Sequence, residues 1–233
     1  MSKIPFRLEV IASLVTARII CDVGCDHGKL VNYLFENNKI NKAIVSDISY
    51  PSLEKAIKLL NKNKYNFEYI CCDGLVGYKD KFVDECIITG MGGDEIIKII
   101  KNSPVQIPSF ILSPQHNNIE VKKFLMSIGY NINYDIIIND KDKYYNIFRA
   151  VKSDKVSMLT DFQLVIGDAN FKDLRSSASE FVEHEINKIE KILNNNNFDN
   201  IELKNYLGIL KEYNKMKRKY EKNFGISKAW YRT

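Results

Sequence analysis

Asp22-Val23-Gly24-Cys25-Asp26-His27-Gly28-Lys29-Leu30 joins a short β-branched run, Ile19-Ile20-Cys21-Asp22-Val23, to a helical pattern running from Lys29 towards Asn37. A glycine-containing turn between a strand and a helix is the context a nucleotide-binding loop requires. Glycines there permit positive φ and close backbone approach to a ligand. Outward from this turn the rhythm repeats. Lys42–Ser46, Phe67–Cys71, Glu85–Thr89 and Ser109–Leu112 are further buried-strand runs. Leu53, Ile57 and Leu60, and then Ile96, Ile99 and Ile100, carry helical spacing between them. Strands alternating with helices predict a parallel sheet covered on both faces. Asn131–Asp140 and Tyr144–Val151 break the rhythm, with only Lys141-Asp142-Lys143 between them. Without a helix to cross over, they must pair as an antiparallel hairpin.

The composition bounds the rest. A chain of 233 residues suggests one large domain, or an ordinary domain with an appendage. Hydrophobic residues at 45% and charged residues at 27% exclude a disordered, fibrous or disulfide-scaffold protein. No apolar run is long enough for a transmembrane helix, and the first residues lack the apolar core of a secretory signal. Five cysteines without a C-x-x-C pair read as reduced thiols in a cytoplasm. Cys21, Cys25, Cys71 and Cys72 read as small core residues rather than redox partners.

Residues 1–152 carry the strand–helix alternation, and residues 153–233 read as a separate all-helical domain. Val182, Ile186, Ile189 and Leu193 form one apolar stripe, and Tyr206, Leu210, Tyr213, Tyr220 and Phe224 form another. The polar loop Asn194–Asn200 between them predicts an antiparallel helical hairpin, packed on itself as a short coiled coil. Its end is basic: Lys211, Lys215, Lys217, Arg218, Lys219, Lys222, Lys228 and Arg232 face only Glu212 and Glu221, in a chain of net charge +5. This tail is either a solvated helix face or an arm that neutralises nucleic-acid phosphates. Tyr213, Tyr220, Trp230 and Tyr231 interleave with it and favour RNA.

The chemistry sits at the carboxyl ends of the predicted strands, where open α/β sheets bind ligands. Asp47 ends the second strand, where a carboxylate accepts hydrogen bonds from ribose hydroxyls. Asp73-Gly74 follows the third and can read an adenine amine. Dinucleotide folds place a second glycine where this chain has Asp26. A carboxylate there repels a pyrophosphate and suits the ammonium or sulfonium of S-adenosylmethionine; a glycine turn with no ligand is the plain alternative. Thr89-Gly90-Met91-Gly92-Gly93-Asp94 ends the fourth strand, beside the expected position of the transferring methyl group. Ser113-Pro114-Gln115-His116-Asn117 follows the fifth. It offers amides to a base edge or is an ordinary turn into a helix.

A parallel sheet closed by an antiparallel hairpin is characteristic of Rossmann-like class I methyltransferases, with seven strands, mostly parallel. More specifically, Arg7-Leu8-Glu9, the Asp22–Leu30 turn, Cys71–Leu75, Ile88–Ile96, Leu112–Gln115 and Lys143–Phe148 together resemble the bacterial tRNA adenine-N1-methyltransferases that modify adenosine 22. The resemblance runs over residues 5–150 in order and more loosely into the helical tail. It implies a class I S-adenosylmethionine-dependent enzyme with a C-terminal coiled coil, methylating N1 of a D-arm adenosine in tRNA. The family's cofactor residues fall on Arg7, Asp22, Gly24, Asp26, His27, Asp47, Asp73, Gly74, Gly90 and Met91, and Gly28 and Ile48 are added as neighbours. Two departures stand out: Ser113-Pro114-Gln115 replaces a Q-P-N triplet, and Gly28-Lys29 replaces Ala-Tyr.

The reaction can be read from chemistry as well. Adenine N1 carries a free lone pair at neutral pH, so no general base is expected. Catalysis reduces to holding N1 in line with the methyl group. Asp26 and the carbonyls around Gly90 and Met91 are the candidates for offsetting the moving positive charge. The base must be exposed or flipped to be reached, and Tyr145, beside Tyr144, is placed either to stack on it or to pack the hairpin. Lys29, Pro114, Gln115, His116 and Tyr145, with Lys215, Lys217, Arg218 and Lys219, make the expected substrate surface. His27 either orients the cofactor carboxylate or caps the helix. His116 and His184 have no metal-ligand spacing with it, so no metal is expected. The expected assembly is a cytoplasmic, bacterial monomer acting on tRNA, away from membranes. The alternatives are a methyltransferase for another RNA, a protein or a small molecule, and a non-catalytic RNA-binding protein with a vestigial pocket.

Overall fold

The computed structural model describes residues 3–171, 173, 175–196 and 200–224. Its elements run α1 (Phe6–Leu14), β1 (Ile19–Val23), α2 (Lys29–Glu36), β2 (Lys42–Asp47), α3 (Tyr50–Lys62), β3 (Phe67–Cys71), β4 (Glu85–Thr89), α4 (Gly93–Lys101) and β5 (Ser109–Ser113). They continue with α5 (Asn118–Ser127), β6 (Tyr130–Asp140), β7 (Lys143–Lys152), α6 (Asp161–Val165), α7 (Ala178–Asn196) and α8 (Ile201–Phe224). Short 3-10 turns lie at Val76–Tyr78 and Asp168–Phe171.

One seven-stranded sheet has the order β3-β2-β1-β4-β5-β7-β6. The first five strands pair in parallel, and β7 pairs antiparallel with β5. The order reverses between β1 and β4, the switch point where such sheets open a crevice. Asp22 lies in register with Val45 on one side and Ile87 on the other, near the carboxyl end of β1. Asp47 pairs with Cys71, and Thr89 with Ser113, so all five parallel strands end on one edge.

Strand burial explains this arrangement. β4 and β5 are buried along nearly their whole length, as β-branched runs covered on both faces must be. β3, at the edge, is half-exposed. Cys21, Val23, Ile88, Ile96, Ile99, Phe110, Leu112 and Phe148 share one core between the sheet and its helices. The β6–β7 hairpin turns at Lys141 and Asp142, whose φ values of 56° and 60° are those of a two-residue type I′ turn.

The chain divides into two compact units. One holds the residues up to Tyr134 with Tyr145–Met158; the other holds Asp135–Tyr144 with the residues from Leu159 onward. The hairpin tip thus groups with the helices. In the second unit Ile137, Ile166, Ala178, Val182, Ile189, Leu207, Leu210 and Tyr213 form a separate core. Within it α7 packs on α8: Ser179 Oγ meets the Tyr213 hydroxyl at 3.1 Å, and Lys211 pairs with Glu190 at 2.7 Å. Both predicted stripes are therefore used, up to Tyr213; the side chains of Tyr220 and Phe224 lie outside the described residues. A reciprocal cap starts α6, where Thr160 Oγ1 accepts from the Gln163 N–H and Gln163 Oε1 from the Thr160 N–H. Among the described residues no helix is long and apolar enough to cross a membrane.

Candidate functional site

A cavity of 390 Å³ opens at the carboxyl ends of β1 and β4, lined by Pro5, Arg7, Leu8, Asp22, Gly24, Cys25, Asp26, His27, Lys29, Leu30, Thr89, Gly90 and Gln115. Its size falls in the usual range of small-molecule sites, roughly 300–1,000 Å³. Eight of the predicted site residues meet here: Arg7, Asp22, Gly24, Asp26, His27, Lys29, Gly90 and Gln115.

The β1–α2 turn shapes the floor. Gly24 has φ +72°, and a β-carbon there would run into the Met91 methyl group. That positive φ favours glycine, and Met91 packs against the turn instead of lining the cavity. Asp26 also takes a left-handed conformation, φ 48°, and its side chain is 73% exposed at the rim. Its backbone N–H donates to Asp47 Oδ2 at 3.2 Å, and the Ser49 N–H donates to Asp47 Oδ1 at 2.8 Å. Asp47 is thereby held on the adjoining strand end, outside the cavity lining. Ile48 beside it is 72% exposed. Exposed Asp73 and buried Gly74 follow β3, with Asp73 Oδ2 3.8 Å from the Lys98 ammonium.

Asp22 is the buried carboxyl of the site. Burial first, and the Asp47 carboxylate second, push its carboxyl up to about 7. Burial, then Asp22, also hold the Cys25 thiol well above its ordinary range, so it is not a nucleophile. Cys21 and Cys86 are buried as well. Cys71 departs from expectation: it is exposed at the end of the edge strand, while Cys72 is half-buried.

His27 does not cap α2. The cap position is Gly28, in the left-handed conformation. His27 Nε2 lies 3.0 Å from the Lys55 ammonium and 3.5 Å from Asp26 Oδ1. Lys55 escaped sequence reasoning because its partner is two elements away and nothing in the α3 pattern marks it. The Arg7 guanidinium, which lines the cavity, sits 5.5 Å from the centre of the Tyr145 ring, a cation–π contact between α1 and β7; Tyr145 itself is outside the lining. Tyr144, one residue away on the opposite strand face, packs edge-on against Phe181 in the helical core.

The turns after β4 and β5 are laced together. Gln115 Nε2 donates to the Gly90 carbonyl at 2.7 Å, and the Gln115 N–H donates to the Met91 carbonyl at 2.9 Å. Gly90 has φ +78°, and a β-carbon there would face open space. Pro114 is buried, and exposed His116 packs over Gly92; neither lines the cavity. Asn117 precedes α5 in a left-handed conformation and donates to Asp94 Oδ2 at 2.8 Å instead of capping the helix with its side chain.

On α8, Lys215, Arg218 and Lys219 are exposed. Lys217 is half-buried, with its ammonium donating to Ser179 Oγ. Lys228, Trp230, Tyr231 and Arg232 lie outside the described residues. Among the described residues no cluster of three or more His, Cys, Asp or Glu could hold a metal ion.

The donor set fits S-adenosylmethionine. A carboxyl at the floor, Asp22, and another at the rim, Asp26, suit a cationic ligand, Asp47 is presented on the next strand end, and the Gly90 backbone is open to the cavity. Comparison with known proteins agrees. The methyltransferase-domain family matches residues 4–148. A Mycoplasma genitalium protein assigned as a tRNA methyltransferase is 32% identical over 174 residues, covering 72% of this chain and 79% of its own. The Bacillus subtilis tRNA (adenine(22)-N(1))-methyltransferase is 25% identical over 171 residues, covering 71% and 72%. The structure of M. capricolum TrmK with S-adenosylhomocysteine superposes with a TM-score of 0.81 at 29% identity, over 91% of this chain and 98% of that one.

Proposed function

Because the chain belongs to the methyltransferase-domain family, and within it to the bacterial tRNA (adenine(22)-N1)-methyltransferases, we propose that it transfers a methyl group from S-adenosylmethionine to N1 of adenosine 22 in the D-arm of tRNA. One observation carries the reading: a single cavity joins the acidic β1 turn to the open Gly90 backbone and the Gln115 amide, so a cationic cofactor and a base edge can share it.

When bound, S-adenosylmethionine supplies an electrophilic methyl group on a sulfonium. Asp22 and Asp26 hold the cofactor's ammonium, and Asp47 accepts from the ribose hydroxyls. Ile48, Asp73 and Gly74 flank the adenine, and His27, with Gly28 behind it, shapes the turn. Arg7, braced on Tyr145, faces the cofactor carboxylate. The residues have no proton to remove, because N1 already carries its lone pair. Their work is to align the base and to leave acceptors near the charge that arrives on it: Asp26 and the carbonyls of Gly90 and Met91.

The α7–α8 pair acts as a short coiled coil that carries the tRNA-contacting face, with Lys215, Arg218 and Lys219 on phosphates. Lys29 and His116 border the incoming D-arm, and buried Pro114 shapes the turn that carries Gln115 and His116. The protein works as a cytoplasmic monomer, with residues 1–152 as the catalytic domain and 153–233 as the RNA arm.

The test is incubation with labelled S-adenosylmethionine and an unmodified tRNA transcript, then nuclease digestion and mass spectrometry. N1-methyladenosine at position 22 is the expected product. Methyl transfer to another nucleoside, or none with cofactor binding intact, would overturn the assignment.

A further inference from the structure

The orientation of the Gln115 amide is set by what it already bonds. A primary amide has a donor end and an acceptor end. The donor end is committed, since Nε2 donates to the Gly90 carbonyl at 2.7 Å. The residue's backbone is committed too, donating to the Met91 carbonyl at 2.9 Å, while the Gly90 N–H donates to the Ser113 carbonyl at 3.3 Å. These three bonds clamp the turn after β5 onto the turn after β4. The side chain is exposed and lines the cavity beside Thr89 and Gly90. The end left to meet a ligand is therefore Oε1, a neutral acceptor with two lone pairs, and no described residue donates to it.

We propose that Gln115 Oε1 accepts a hydrogen bond from the exocyclic N6 amine of the target adenine, which makes Gln115 the residue that selects adenine at this site. This rests on the methyl-transfer reading above. Adenine presents the N6 amine, a donor, directly beside N1, the atom to be methylated. Guanine presents an O6 acceptor and a protonated N1 in the same places. Facing Oε1, guanine would bring two acceptors together and offer no lone pair at N1. Because the Gly90 carbonyl blocks the amide from flipping, Gln115 cannot offer its NH₂ to O6 instead. Asp26 is another acceptor on the rim, but it belongs to the acidic turn after β1, across the cavity lining from the Gly90–Gln115 clamp. A base held by its amine also leaves N1 adjacent to the Gly90 turn, where methyl transfer is read to occur.

The experiment uses full-length protein and tRNA transcripts carrying either adenosine or purine riboside, which lacks the N6 amine, at position 22. The readout is the ratio of kcat/KM for the two. The wild-type protein is expected to prefer adenosine by on the order of 10- to 100-fold, the scale of leaving one acceptor without its donor. In Gln115→Met, which keeps the length and removes the acceptor, the ratio should collapse towards that of the bases' intrinsic reactivity. Gln115→Glu keeps the acceptor while losing the bond to Gly90, and should retain the preference. Intrinsic reactivity cancels when variants are compared. Calorimetric binding of S-adenosylmethionine reports that each variant keeps its cavity. An unchanged ratio in Gln115→Met overturns the proposal. So does a collapse in Gln115→Glu equal to that in Gln115→Met, which would mean that Gln115 acts only by bracing the Gly90 turn. Failure of the wild-type protein to methylate adenosine 22 overturns instead the reading on which the proposal rests.

Discussion

Asp22 is fully enclosed yet faces a cavity built for a cation, and the two demands conflict. Its carboxyl is raised to about 7, so near neutrality it holds a proton for much of the time in the free protein. A group raised in this way contributes stability that is complete below the unfolded value near 3.8 and is lost as pH climbs through about 7. A bound ammonium reverses the preference by rewarding the ionised form. Cofactor binding at about pH 6 should therefore expel close to one proton. Calorimetry in two buffers of different ionisation heat reads that number, and Asp22→Asn should release none. Equal proton release from both proteins would remove Asp22 from the ammonium's surroundings. Cys71 teaches a different lesson at this scale. Its apolar character predicts burial, but an edge strand has only one covered flank, and edge position is a property of sheet order rather than of the residue.

Among the elements, β4 is the one on which the others are hung. Glu85 at its start is completely buried. Its Oε1 accepts from Ser109 Oγ on β5 at 2.6 Å and from Arg149 Nε on β7 at 2.9 Å, and its Oε2 accepts from the Thr16 N–H just after α1 at 3.1 Å. One carboxylate thus ties together three strands and the end of the helix that carries Arg7. Glu85→Ala would leave the largely buried Arg149 guanidinium without its ionic partner, with only the Thr16 and Ser109 hydroxyls accepting from it, at a cost of about 3–5 kcal/mol. Urea unfolding should show a lower midpoint at unchanged slope, and Glu85→Gln, whose single carbonyl oxygen can keep the bond from Ser109 or the one from Thr16 but not both, should lose less. A Glu85→Ala variant as stable as the wild type would mean that water replaces the missing carboxylate. Strand positions are easy to read from such a chain, because buried parallel strands are short apolar runs wherever they occur. The Glu85 hub is not, since a charged residue opening an apolar run reads equally well as a solvated strand end.

At the scale of the whole molecule the helical unit has its own core and its own charge arrangement. Lys211 is paired with Glu190, and Lys217 is engaged with Ser179. Lys215, Arg218 and Lys219 remain exposed on α8. Reversing these three charges together should weaken tRNA binding at low salt. It should also reduce the slope of log affinity against log salt by about 1 for each phosphate that is no longer neutralised. Cofactor affinity, which depends on the other unit, should not move. A slope identical to that of the wild type would place the phosphate-binding residues elsewhere.

Local chemistry made much of this protein legible without coordinates. The alternation of apolar runs and helical stripes specifies a parallel sheet, because each run can be buried only if helices cover both faces. The paired runs around Lys141-Asp142 can close only as a hairpin. The acids at Asp22, Asp26 and Asp47 fall at strand ends for the same reason, since the strands themselves set where the chain emerges from the core. What needed tertiary structure was every property that depends on which surfaces meet. Tyr144 and Tyr145 are neighbours in sequence, yet one packs in the helical core and the other braces Arg7, because adjacent strand residues face opposite ways. The grouping of the hairpin tip with the helices, the partnership of His27 with Lys55, and the direction in which Gln115 presents its amide follow from packing between segments far apart in the chain. No local pattern encodes such packing, because neither surface carries a mark of the other.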